Sequence, residues 1–260
     1  MEISMDNVFQ QGTIFINDIY KTIYLTPNEP LVYDTNKWEY KYLPTITQFK
    51  HDIVEQSQLH RSQSSQHLAF VFPENILLSK NWLDLLESYH FELGIMELYA
   101  IEASDFPQFY NEAIDIQFVT SQSLEDYIQI YRTFALPYGE AYANEIIQTL
   151  RNSYISDNKE RIIAYKLEKP IGILDLIVSE SVVEIDGFGV LPEYQQQGIG
   201  KVMQSFVARY ADGKTIILVA DGEDTAKDMY IKQGYQFISF KYQILKENVN
   251  FEHEESCRNE

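Results

Sequence analysis

The sequence predicts an α/β protein, on three observations. Strand-length apolar runs alternate with stretches of helical period along the chain. From residue 114 their order reads β-α-α-β-β-β-α-β-α-β. One run, TIILVAD, is apolar almost throughout, as a strand is when both faces of its sheet are covered. At 260 residues the chain has room for one large domain or two of ordinary size, and 45% apolar with 23% charged residues is a globular composition.

The elements follow in order. IFINDIY and TIYLTP have strand content, and the stretch after Pro44 turns helical. Leu68 to Phe72 reads as a strand stopped by Pro73. Ser79 then caps a helix with a stripe of Trp82, Leu83, Leu85 and Leu86, and FELGIMELYAIE is another strand. Asp105-Phe106-Pro107 marks a joint, so residues 1–105 are expected to form a small N-terminal α/β domain. IDIQFVT, at 114–120, opens the second part, with helices over Ser121–Tyr131 and Glu140–Ser153. Three strands follow in RIIAYKLEKPIGILDLIVSESVVEIDGFGV, turning at Lys169-Pro170 and at Glu180-Ser181. A helix from Gly198 to Arg209, the strand TIILVAD, a helix from Thr225 to Gln233 ended by Gly234, and YQFISFKYQIL close the fold. The last fourteen residues, 247–260, hold five acids and read as a solvated tail.

Composition excludes several functions. Twenty basic against 39 acidic side chains leave a charge of −19, which repels phosphate backbones and argues against nucleic-acid partners. The densest basic stretch, KERIIAYKLEK, is interrupted by Glu160 and Glu168. Cys257 is the sole cysteine, so no internal disulfide and no cysteine metal cluster can form. No metal site is expected. No signal peptide or membrane-length apolar run is visible, so the expected place is the cytoplasm, away from membranes. Nineteen tyrosines and 15 phenylalanines can fill a core or line a pocket, and composition does not separate the two.

YQQQGIGKVM, residues 194–203, places two glycines between a strand and a helix. There the first helical amides lack partners and the dipole is positive, so Gly198 and Gly200 form either a tight turn or a phosphate cradle. It is no P-loop, because Gln195 and Val202 stand where glycine and a hydroxyl are needed. It is no dinucleotide fingerprint either, because Met203 replaces the third glycine. QQQGIG resembles the Q/R-x-x-G-x-G/A signature of the GNAT superfamily of N-acetyltransferases. FGVLPEY resembles that family's preceding strand and turn, and AKDMYIKQGY, at 226–235, resembles its A-x-x-L-Y-x-x-x-G-F segment. Met229 and Tyr235 depart mildly from that pattern, and Glu223 stands where asparagine is frequent. FPENILLSKNWLDLLESYHFELGIMELYAIE also resembles the N-terminal part of larger bacterial acetyltransferases.

The resemblance covers about 114–246. It implies a mixed central sheet flanked by helices, with the N-terminal domain as an addition, either distinct or a degenerate unit of the same kind. It implies acetyl-coenzyme A as co-substrate. The pyrophosphate is expected on Gln195, Gln196, Gln197, Gly198, Ile199, Gly200 and Lys201. The pantetheine arm is expected along Phe188, Gly189 and Val190, with Glu223 and Ala226 nearby. Tyr230 takes the place of the general acid, or else only packs. Glu184 and Asp186, two apart on one strand, face the same way and are candidates for the base or for holding an ammonium. Tyr138, Glu140 and Tyr142 lie where the family builds its acceptor loop; His90 and Glu97 are outside candidates. The implied reaction is direct attack by a primary amine of a small molecule or peptide. The alternative is a non-catalytic acyl-coenzyme-A-binding or regulatory protein. Oligomeric state is not readable.

Overall fold

In the computed structural model, residues 2–222 and 226–249 are described, Ala226 by its backbone alone. The first part runs β1 (Ile14–Asn17), β2 (Lys21–Tyr24), β3 (Trp38–Tyr40), α1 (Ile46–Ser62), β4 (Leu68–Val71), α2 (Lys80–Ser88) and β5 (Glu92–Glu102). The second part runs β6 (Ile114–Phe118), α3 (Leu124–Ala135), α4 (Glu140–Ser153), β7 (Lys159–Lys166), β8 (Lys169–Val178) and β9 (Val182–Val190). It closes with α5 (Ile199–Ala211), β10 (Thr215–Asp221), α6 (Ala226–Lys232) and β11 (Gln236–Lys246). No described helix is long and apolar enough to cross a membrane. Of the sequence-derived features, Glu223, Thr225, Cys257 and most of the acidic tail fall outside the described residues.

The chain divides into two compact units, and neither is a single stretch. Unit 1 takes residues 2–9, 97–220 and 226–238; unit 2 takes 10–96, 221–222 and 239–249. The sequence places the borders at 105 and 246, whereas here Glu97 onward groups with the second part and Ser239 onward with the first. β5 and β11 are therefore each split between the units.

Unit 1 is a mixed sheet in the order β5-β10-β9-β8-β7-β6. β6 through β9 pair antiparallel in sequence, and β10 lies parallel to β9. The period of two divides the side chains between two cores. Ile162 and Ala164 of β7, with Leu174 and Leu176 of β8, pack with Met203 and Val207 of α5. Ile163 and Ile173 pack on the other face with Tyr127, Ile128 and Ile130 of α3 and Leu150 of α4. Helices thus flank the sheet, which explains why Arg161 to Ala164 are buried without alternation.

One turn differs from the sequence reading. β7 and β8 are joined at Leu167-Glu168, both with positive φ (51° and 63°), the geometry of a two-residue hairpin. Pro170 is not in the turn but pairs with Tyr165 at a register shift, where a residue lacking an N–H is tolerated.

Unit 2 orders its strands β1-β2-β3-β4-β11, with β11 antiparallel to β4. Its core is largely aromatic: Phe49 meets the rings of Phe70, Phe72 and Trp82 at centroid distances of 4.9, 5.6 and 5.3 Å. The α1 helix begins where Thr45, after Pro44, accepts the Gln48 amide on its hydroxyl. On its inner face Gln56 exchanges two hydrogen bonds with the Ala69 backbone, at 2.8 and 2.9 Å. Asp52 is fully buried and takes the Tyr40 hydroxyl at 2.7 Å and the Lys21 ammonium at 2.9 Å.

His60 and His67 are also fully enclosed, with ring centroids 4.9 Å apart. Burial depresses their pKa values from 6.5 to about 4 and about 3. The unfolded chain therefore binds more protons below pH 6.5, and stability held above that pH is lost as pH falls toward the depressed values. Each histidine is expected to cost about 1 kcal/mol of stability by pH 5.5. Thermal melts of wild type and His60→Gln at pH 7.5 and 5.5 check this. The variant should lose less on acidification, and equal losses would contradict it.

Candidate active site

The site begins where two parallel strands part. β9 and β10 are in register from Val182 with Thr215 to Ile185 with Leu218. Beyond Ile185, β9 continues to Val190, held by β8 alone among the described pairings. Its other edge faces a cavity of about 610 Å³. Phe188, Gly189 and Val190 form one wall of that cavity, Met229 and Tyr230 of α6 another, and the loop from Tyr194 to Lys201 a third.

The loop explains its own sequence. Gln195 donates its side-chain amide to the Val190 carbonyl at 2.9 Å, tying the loop to the end of β9. Gln197 donates to the Glu193 carbonyl at 3.1 Å and accepts from Lys166 at 3.0 Å. Gly198 is the residue before α5 and has φ +77°, where L residues are strained; a Cβ there would meet nothing within 4 Å. Gly200 is small for another reason, since a Cβ there would come within 3.2 Å of the Phe188 ring. Among the described residues, the amides from Gln196 to Gly200 find no carbonyl partner. Lys201 lines the cavity with its ammonium 5.2 Å from the Phe109 ring centroid.

Tyr230 is buried in the wall, between Tyr99 and Tyr235 at ring-centroid distances of 6.3 and 5.7 Å. Ala226 opens the same helix; Glu223 lies outside the described residues.

A second cavity, of about 260 Å³, adjoins the first. It is lined by Tyr131, Phe134, Tyr138 and Tyr142 from α3, α4 and their connection, and by Ile173, Gly187 and Phe188 from the sheet. Tyr138 and Tyr142 thus line this cavity. Glu140 instead binds Arg132 at 2.6 Å on the surface. Burial, then the nearby Tyr142, Asp175 and Asp186, pushes the Tyr131 pKa upward, so its hydroxyl keeps its proton.

Beneath this pocket lies a chain of charges. Asp186 is the cross-strand partner of Asp175, so both project toward α3. Lys159 reaches Asp186 at 2.7 Å and Asp175 at 3.7 Å. Asp175 also takes the Tyr127 hydroxyl at 2.5 Å. Complete burial raises the Asp175 pKa against the opposing pull of Lys159, Tyr127 and Arg161. Burial acts against the Lys159 ammonium too, but Asp186 and Asp175 outweigh it and its pKa rises. Glu184 is buried and lines neither cavity; its Oε2 accepts the backbone amide of Phe9 at 2.7 Å. The two carboxylates that the sequence groups together therefore have different partners.

His90 is not brought to either cavity, and Glu97 accepts the Tyr99 hydroxyl at 2.6 Å. Among the described residues, His51, Asp52 and Glu55 of unit 2 lie close enough to share an ion, but the Lys21 ammonium already sits on Asp52. Sequence reasoning missed Tyr131, Phe134, Lys159, Asp175 and the Phe9 amide. The i, i+3 spacing of Tyr131 and Phe134 on one helical face was the signal available.

The acetyltransferase (GNAT) family matches residues 125–235, and a domain of unknown function (DUF5613) matches residues 3–99. Among solved structures, a functionally unknown conserved protein from Staphylococcus epidermidis ATCC 12228 is 44% identical. It aligns at a TM-score of 0.91, over 95% of this chain and 98% of that one. A GCN5-related N-acetyltransferase from Kribbella flavida aligns at 0.59 and 13% identity, over 87% of this chain and 85% of its own. One from Sphaerobacter thermophilus aligns at 0.59 and 13% identity, over 82% and 73%. These last two show the shared fold alone. No protein of curated function matches the chain. Residues 125–235 thus carry a GNAT domain, of a family of acyltransferases, within a chain whose remainder that family does not match.

One contact decides how rigid the junction of the two cavities is. A Cβ on Gly189 would stand 2.5 Å from the Phe134 ring. Gly189→Ala is therefore expected to destabilise the fold by about 1–3 kcal/mol through overpacking. In a Phe134→Ala background the cost should shrink, leaving a coupling of more than about 0.5 kcal/mol in a denaturant double-mutant cycle. Additive losses would contradict this packing.

Proposed function

We propose that the protein transfers an acetyl group from acetyl-coenzyme A to a primary amine of a small molecule or peptide. One observation carries the reading: a cavity between parted strands ends on a run of unpartnered amides at a helix N-terminus and has a buried tyrosine in its wall. The fit is chemical. A pyrophosphate needs several backbone N–H donors and positive potential, which Gln196 to Gly200 and Lys201 supply. A pantetheine arm needs amide partners, which the free edge of Phe188 to Val190 offers. When bound, the thioester supplies an activated acetyl group. Unit 1 is the transferase in this reading, and unit 2 the accessory domain that the sequence assigned to residues 1–105.

The chain's own groups would then handle protons. An amine in the tyrosine-lined pocket attacks the acetyl carbon; the N–C bond forms and the C–S bond breaks. The Tyr230 hydroxyl gives its proton to the departing sulfur. The amine's proton passes to a carboxylate. Asp186 stands next to Gly187 in the pocket wall, so it ranks ahead of Glu184, whose Oε2 already holds an amide. The acidic field favours an amine over an anionic acceptor.

Two measurements test this. Calorimetric titration with acetyl-coenzyme A should show binding, and Gly198→Val should weaken it about tenfold or more, because a β-branched residue resists the required φ. Unchanged affinity in the variant would remove the loop from the site. Thiol release across an amine panel should identify an acceptor. With it, Tyr230→Phe should lower kcat about 10²-fold with little change in coenzyme affinity. A kcat within about twofold of wild type, with chemistry rate-limiting, would exclude the acid role. Coenzyme binding without thiol release from any acceptor would instead favour a binding module.

A further inference from the structure

We infer that Phe134 fixes the size of the acyl group that the enzyme carries, closing the junction to chains longer than acetyl. The inference rests on the coenzyme-A reading of the larger cavity. Two side chains, Phe134 and Phe188, line both cavities. If the donor lies in one and the amine in the other, the carbonyl carbon must sit where the two meet. Whatever substituent it carries then lies against those two rings.

Neither ring has room behind it. The Phe134 ring rests on the bare backbone of Gly189, where a Cβ would be 2.5, 2.6 and 3.0 Å from its Cε2, Cζ and Cδ2 atoms. The Phe188 ring is backed by the first turn of α5, with its Cζ 3.2 Å from a Cβ placed on Gly200. Both glycines thus make room for rings, and the rings take up space at the junction. A methyl group on the carbonyl fits beside them. Each further methylene has to displace Phe134, which is half-buried and anchored on α3. The chemistry is the same for any acyl group, with N–C bond formation, C–S cleavage and proton transfer as above; only the fit differs.

The test needs no acceptor. Coenzyme A and its acetyl, propionyl, butyryl and hexanoyl thioesters are titrated calorimetrically into the full chain, as wild type, Phe134→Leu and Phe134→Ala. For wild type, Kd is expected to rise at least about tenfold between acetyl and hexanoyl, the scale of a pocket that resists added methylenes. In Phe134→Ala the hexanoyl-to-acetyl ratio should fall to within about threefold of one, and Phe134→Leu should lie between. A fold defect alone would shift all ligands together and leave the ratio unmoved. If Phe134→Ala melts early, Phe134→Leu still reports the ratio. A flat wild-type series, or a ratio unchanged in both variants, would overturn the assignment. Failure of wild type to bind coenzyme A itself would overturn the underlying reading, and with it this one.

Discussion

The functional half of this molecule depends on two parallel strands that pair for four residues and then separate. Past Ile185 the β9 residues are no longer buried, so their unpaired backbone groups face the cavity, and the surroundings hold the gap after Ile185 and Leu218 open. β8 grips the other edge of β9 as far as Val190. Gln195 ties the loop to the last carbonyl of that strand. The helix that starts at Ile199 packs its apolar face on β9 and β6. Each brace serves the same opening, and the proposed coenzyme site rests on it.

The aromatic surplus is used in two ways. In unit 2 the rings of Trp38, Phe49, Phe70, Phe72 and Trp82 pack against one another and make a core from short elements. In unit 1 Tyr131, Phe134, Tyr138, Tyr142 and Phe188 line open space. The same residue types thus supply cohesion in one unit and a shaped apolar surface in the other.

What the sequence disclosed depended on whether the cause was local. The glycine at 198 was legible because helix starts and positive φ are properties of a few consecutive residues. At Gly189 the group that approaches the backbone is a ring from a helix more than fifty residues earlier, which no local signal could name. The hairpin at Leu167-Glu168 was misplaced by two residues, since neither residue is a usual turn former and the adjacent proline was a stronger signal. β3, three residues long between two loops, had too short a pattern to show. The pairing of Lys159 with Asp186 spans three strands, so spacing alone could not reveal it. Glu184 and Asp186 were placed on one face by alternation, but their different partners came from distant chain.

The amide of Phe9 on Glu184 joins residues 175 positions apart. Together with the return of β11 to unit 2, it makes both units discontinuous in the chain. Residues 1–105 alone therefore complete neither unit. The opening segment must wait for β9, and unit 2 must wait for β11. Each unit is consequently closed by long loops whose entropy is met only once the distant segment has docked. A cut at the joint near residue 105 would leave unit 2 without one of its strands and Glu184 without its amide.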